Sequence, residues 1–261
     1  MGILNVTPDS FSDGGRFFDP IRAIQHGMKM ARDGADVIDI GGISTRPGSE
    51  AISVKEELRR VMPIIEALAQ EVETPISIDT CRAEVAARAL EAGASIVNDI
   101  SALRFDDQMV EVVVKHQVPV VLMHMKGTPK DMQLDPRYED VLSEIQTFFM
   151  ERVAFAEKGG VSPEKIVLDP GIGFGKTVQH NLLILKNLTH FQSLGKPILL
   201  GTSRKSFIGH VLQAEVDQRE EGTMATVVVG IWNGANIVRV HDVAKIAPAV
   251  RMTDAVLHVC S

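Results

Sequence analysis

Asp79, Asn98 and Asp169 each stand at the end of a short apolar run, and none belongs to a cysteine or histidine cluster. Two carboxylates and an amide suit a ligand that shows several N–H donors and a ring acceptor, such as the edge of a guanidine-like heterocycle. Oxygen donors also suit magnesium, so a hard-metal site is the competing chemistry. A second set is cationic. Arg204 and Lys205 sit in Gly201-Thr202-Ser203-Arg204-Lys205-Ser206-Phe207, and Arg239-Val240-His241 follows another apolar run. Strand alternation would point Arg239 and His241 to one side, where they suit a polyanion. Arg46, in Gly41–Ser49, adds a planar, always-charged fork of the kind that grips phosphate. The bland alternative for Arg204-Lys205 is a solvated basic pair.

Other residues invite weaker readings. His124, in Met123-His124-Met125-Lys126, serves equally as a base or as a packing residue. Cys81 has no activating neighbour and reads as inert. Gly175-Lys176-Thr177 ends like a phosphate-binding P-loop, but Pro170 occupies the place of the required upstream glycine, which excludes that motif. The glycines of Asp169–Thr177 instead let backbone approach a flat ligand.

These residues need a scaffold that brings strand ends together. Eight apolar runs recur, at residues 2–6, 36–40, 75–78, 95–97, 119–123, 166–168, 197–200 and 237–240. Helical patterns lie between and after them, at 20–32, 53–71, 82–92, 107–116, 137–158, 178–194, 218–233 and 242–257. Runs without polar alternation predict strands covered on both faces, hence a parallel sheet. Eight such units predict a (β/α)₈ barrel in a single domain, 1–261. Asn5, Asp39, Asp79, Asn98, His124, Asp169, Ser203 and His241 would then ring one mouth, the face that carries barrel active sites.

Composition narrows the function classes. Among 261 residues, 45% are hydrophobic and 23% charged, the balance of an ordinary globular protein. The formal net charge of -7 argues against a general nucleic-acid binder, so any anion must be held by a local basic cluster. No apolar run reaches the ~18 residues of a membrane span. Two cysteines, Cys81 and Cys260, have no paired spacing, and no secretory signal pattern opens the chain; both point to the cytoplasm.

Taken in order, MGILNVTPDSFSDGG, DIGGISTRPGS, ISIDT, IVNDIS, MHMKG, DPGIGFGKT, GTSRKSFIG and RVHDV resemble the dihydropteroate synthase family of folate-pathway, pterin-binding transferases. The resemblance implies a TIM barrel that joins 7,8-dihydropterin-6-ylmethyl diphosphate to 4-aminobenzoate, releasing diphosphate and 7,8-dihydropteroate. It implies a pterin pocket of Asp79, Asn98, Asp169 and Lys205, with Lys205, Asp79 and Asp169 as the catalytic groups. Asn5, Arg46, Arg239 and His241 would hold diphosphate, with Asn5 as the Mg²⁺ ligand. Thr45, Arg46 and Pro47 would close over aminobenzoate beside Phe174 and Ser206. In the family diphosphate leaves before the amine attacks, the active unit is a homodimer formed through the last helices, and sulfonamides inhibit. Many members carry glutamate where this chain has Ile43, and most carry a further stretch before the first strand. Two relatives in chemistry compete: a corrinoid-linked pterin methyltransferase would lack the first loop and Ser-Arg-Lys-Ser, and a non-catalytic pterin binder would lack the anion-holding residues.

Overall fold

The computed structural model describes residues 1–7, 19–44 and 52–259. The expectations for Thr45, Arg46 and Pro47 fall outside the described residues. Strands β1 (Gly2–Asn5), β2 (Ile38–Gly41), β3 (Ile76–Asp79), β4 (Ile96–Asp99), β5 (Val120–Met123) and β6 (Ile166–Asp169) pair in parallel and in sequence order. β7 (Leu199–Leu200) and β8 (Ile237–Val238) form a second parallel pair. Two parallel bridges, Leu168 with Ile198 and Val240 with Gly2, join the two sheets at both edges. Backbone bonds continue that seam, Leu168 N to Pro197 O at 2.9 Å and Ile3 N to Val240 O at 2.9 Å. The eight strands thus run around a closed ring, a (β/α)₈ barrel.

Helices α1 (Pro20–Arg32), α2 (Val54–Glu71), α3 (Ala83–Glu91), α4 (Met109–His116), α5 (Val141–Lys158) and α6 (Val178–Lys186) follow the first six strands. α7 (Ser206–Leu212) and α8 (Glu220–Trp232) follow β7, and α9 (Val243–Leu257) follows β8. Local chemistry sets these boundaries. Asp19 caps α1 by accepting from the amides of Ile21 and Arg22, with Pro20 at the first helical position. Asp140 accepts from Leu142 and Ser143, so α5 starts at Val141 rather than at 137. Gly34 (φ 98°) and Gly93 (φ 114°) make the left-handed exits from α1 and α3 that sequence spacing predicts.

The outward strand residues Leu4, Ile40, Ile78, Val97, Leu122 and Leu168 are fully buried beneath helix residues such as Ile64, Leu68 and Phe149. That layer is the main core. Inside the barrel the register stacks Asn5 beside Gly41, Gly41 beside Asp79, and Asp79 beside Asn98. One step lower it aligns Ile3, Asp39, Ser77 and Ile96. The hydrogen-bonded level of the ring, rather than proximity in sequence, is therefore what assembles the polar mouth.

Two expectations about elements differ from the structure. The stretch 178–194 is one helix by periodicity, but α6 ends at Lys186 and a 3₁₀ segment, Leu188–Leu194, continues it. Asn187 causes the break by turning its side-chain amide onto the Leu183 carbonyl, in competition with the helix ladder. The segment after Lys205 reads as loop, yet it forms α7.

Candidate active site at the barrel mouth

A cavity of about 910 Å³ opens at the carboxyl ends of the strands. Asn5, Asp79, Asn98, Asp169, Phe174, Lys205, Ser206, Arg239 and His241 all line it. The structure thus brings these residues to one mouth, whereas Asp39 and His124, expected on the same ring, do not line it.

At its floor lies an ionic network. Arg239 donates from Nε to Asp39 Oδ2 at 2.6 Å and from Nη2 to Asp79 Oδ2 at 2.7 Å. Asn98 Nδ2 donates to the same Asp39 oxygen at 3.0 Å. Asp39 is fully buried, inside β2 rather than past its end, and its Oδ1 has no hydrogen-bond partner among the described residues. Burial raises the Asp79 carboxyl to about 7 despite the opposing pull of Arg239, and burial also raises Asp169. Gly41 lies beside Asp79, and a Cβ at that position would stand in ordinary contact, 3.4 Å from Asp79 Cβ.

Above this floor, Lys205 Nζ lies 4.2 Å from the centroid of the Phe174 ring, a cation–π contact. Burial lowers Lys205 to about 8, with Asp169 pulling it upward. Phe174 packs in a separate apolar cluster with Ile100, Met123, Met125 and Met132. Ser206, the first residue of α7, is exposed at the rim. At the other side Ser203 Oγ accepts from the His241 backbone amide at 3.2 Å and stands 2.9 Å from His241 Nδ1. Assigning the hydroxyl proton to the bond with Nδ1 makes Nε2–H the donor of the neutral imidazole. Burial and Arg239 push His241 down to about 3, so it is a neutral donor and not a second cation.

The Asp169–Thr177 loop differs from its expected role. Gly171 has φ 67°, and a Cβ there would meet the His124 carbonyl oxygen at 2.0 Å; Gly175, at φ 64°, would meet that of Lys126 at 2.4 Å. Gly171 and Gly175 clear protein backbone, while Gly171 and Gly173 line the cavity. The loop is fastened by Lys176, which is buried, donates to the Phe174 carbonyl at 3.0 Å and stands 2.9 Å from His124 Nδ1. His124 sits edge-on to Phe148 with ring centroids 4.9 Å apart, and neither it nor Lys176 lines the cavity. Of the two readings of His124, packing is the one observed.

Among comparisons with known proteins, the profile of the family described as pterin binding enzyme matches residues 1–241. The chain belongs to that family. Among its relatives is the dihydropteroate synthase of Synechocystis, 52% identical over 98% of this chain and 89% of the relative. Among solved structures, the Xanthomonas albilineans dihydropteroate synthase with 4-aminobenzoic acid superposes at TM-score 0.93 and 44% identity, covering 99% and 93% of the two chains. The same enzyme in complex with 7,8-dihydropteroate gives 0.90 and 42%, with the same coverage. The chain therefore stands among the dihydropteroate synthases.

Sequence reasoning missed three parts of this site. Asp39 was visible only as one polar strand residue of eight. Lys176 was visible only as the lysine of a failed P-loop motif. Gln133, which donates to the Gly173 carbonyl and lines the cavity, carried no signal in its own neighbourhood.

Lys176 gives a signed test of the loop. Burial lowers it from 10.5 to about 7, so the folded protein sheds this proton before the unfolded chain does. Its contribution to stability is present above the unfolded pKa and lost as pH falls through the folded one. Urea unfolding should show wild type gaining on Lys176→Met as pH rises from 7 toward 10, by at most about 1.4 kcal/mol per pH unit. A difference that is flat with pH would mean that Lys176 titrates normally.

Proposed function

We propose that this mouth joins 7,8-dihydropterin-6-ylmethyl diphosphate to 4-aminobenzoate, with diphosphate departing before the amine attacks. The observation that carries the reading is the pairing of two carboxylates, buried Asp169 and half-buried Asp79, with the donors Lys205, Arg239 and His241 in one cavity. A pterin ring offers N–H donors to the carboxylates and Asn98, and diphosphate offers oxygens to the cations. The aminobenzoate- and dihydropteroate-bound Xanthomonas structures support the same substrates.

In this sequence of events the methylene C–O bond breaks and its electron pair leaves with diphosphate. The resulting positive charge spreads into the pterin ring, where Asp79 and Asp169 stabilise it. Arg239 and the Nε2–H of His241 receive the leaving anion, with Arg46 as a further cation. The amine of aminobenzoate, seated by Thr45, Arg46 and Pro47 with Phe174 and Ser206, then attacks the methylene carbon and loses a proton. Beyond its Nη1 group, Arg239 gains a further donor for diphosphate by exchanging partners. Its Nη2 is bonded to Asp79, and pterin N–H groups that take over Asp79 would release that donor to diphosphate.

Asn5 fits a magnesium ion carried mainly by the substrate. It lines the cavity at the end of β1, its side-chain amide makes no hydrogen bond to protein among the described residues, and no carboxylate cluster able to hold a metal exists among them. Magnesium keeps water and binds through one or two protein ligands plus phosphates, which matches a single amide oxygen. When bound, it would neutralise charge on the departing diphosphate.

The reading includes a single domain, 1–261, working in the cytoplasm as a homodimer. Exposed Trp232 on α8 and Met252 and Val256 on α9 support a partner-facing surface on the last helices. Among the described residues no helix is long and apolar enough to cross a membrane.

Mixing both substrates with Mg²⁺ and measuring diphosphate tests the activity; no release overturns it. Asp79→Asn and Asp169→Asn should each weaken pterin binding about tenfold or more, since each loses a charge-assisted acceptor. Calorimetry that finds wild-type affinity in both variants rejects the pocket assignment.

A further inference from the structure

β7 and β8 are two residues each and share two register pairs, so little backbone ladder fixes the loops that follow them. Those loops carry Lys205 and His241. Above the strands they are tied by two parallel cross-links. The inner one is Ser203 with His241. The outer one joins their sequence neighbours: Arg204 Nε lies 3.1 Å from Asp242 Oδ2, and Nη2 lies 2.7 and 2.8 Å from the two carboxylate oxygens.

Arg204 is also held in a conformation that a non-glycine residue rarely adopts, with φ 57°. Its amide donates to Thr223 Oγ1 at 3.1 Å, and its carbonyl accepts from Arg219 Nη1 at 3.2 Å. This left-handed step turns the chain between Ser203, which faces His241, and Lys205, which faces Phe174. The ion pair is a poor candidate for a stability device. Arg204 and Asp242 are 41% and 28% exposed, a setting in which ion pairs contribute little, and the left-handed backbone itself costs energy.

We propose that the Arg204–Asp242 pair is a positioning clamp that holds Lys205 and His241 at a fixed separation across the mouth. Both residues reach the rim of the cavity, but the clamp acts by tying the two loops together. The proposal rests on the assignment of Lys205 and His241 to the pterin diphosphate reaction. Diphosphate release by the wild type is therefore the first arm of the test, and its failure would reject that assignment and not the clamp alone.

With wild type active, Arg204→Gly removes the guanidinium while suiting the left-handed backbone. Its melting temperature should be unchanged and its kcat should fall about tenfold, with KM for pterin diphosphate moving far less. Asp242→Ala should show the same split. The exchanged pair Arg204→Asp with Asp242→Arg restores the ion pair, and aspartate tolerates left-handed backbone; it should recover most of the lost kcat. Wild-type kcat in Arg204→Gly overturns the clamp. So does an exchanged pair no better than its single variants, or a loss of kcat that tracks a loss of thermal stability.

Discussion

Replacing Lys205 with methionine is expected to lower kcat/KM for pterin diphosphate by about a hundredfold or more while leaving the melting temperature close to that of the wild type. The size follows from removing a preorganised cationic donor from a site where charge moves during the reaction. The stability expectation follows from position. Lys205 is the residue before α7, with φ −64° and ψ 151°, and makes no side-chain cap bond there. Methionine keeps an aliphatic stem against Gly173 and the Phe174 ring, so no core cavity opens. The pH profile supplies a second readout. Burial lowers Lys205 from 10.5 to about 8, so the protonated donor is the majority form at neutral pH and is lost as pH rises through 8. Wild-type activity should therefore decline on that alkaline limb, and the methionine variant should lack the decline. A variant with wild-type kcat/KM would make Lys205 a bystander stacked on Phe174.

The contrast between Lys205 and its neighbours shows how far the sequence could be read. The eight strand-and-helix units were legible because each strand is a continuous apolar run and most helices carry a polar cap or a glycine exit. Asp79, Asn98 and Asp169 were legible because polar side chains directly after such runs have one address in a barrel. α7 was not, since seven residues with Gly209 inside them carry too little periodicity to register as a helix. Gly209 also has a neighbour invisible in one dimension: a Cβ on it would lie 2.4 Å from the Arg219 guanidinium, which would have to shift. The left-handed turn at Arg204 was equally hidden, because arginine gives no hint of it and the bonds that enforce it come from α8 and the segment before it. The glycines of Asp169–Thr177 were legible as a backbone requirement, but not which backbone required them.

Asp39 is the clearest case of a residue whose importance only the fold reveals, and its removal should produce the largest loss of stability. Its partner Arg239 lies 200 positions away, brought next to it by closure of β8 onto β1. In Asp39→Ala the Arg239 guanidinium, 18% exposed, would keep Asp79 alone as a counter-ion, and the Asn98 amide would lose its acceptor inside the barrel. Breaking a buried pair by removing one partner costs more than the pair contributed, because the remaining charge stays desolvated. The expected loss is about 3 kcal/mol in urea unfolding, with Asp79 drawn closer to Arg239 and less available to a pterin. Asp39→Asn separates charge from hydrogen bonding. It keeps an acceptor for Arg239 Nε but presents an N–H₂ group to the protein as well, and should fall between alanine and wild type. Asp39→Ala losing less than about 1 kcal/mol would mean that Asp79 alone suffices to hold Arg239. Arg239 would then be free to swing toward a bound anion without breaking any second bond, and the floor of the mouth would be a hinge rather than a fixed network.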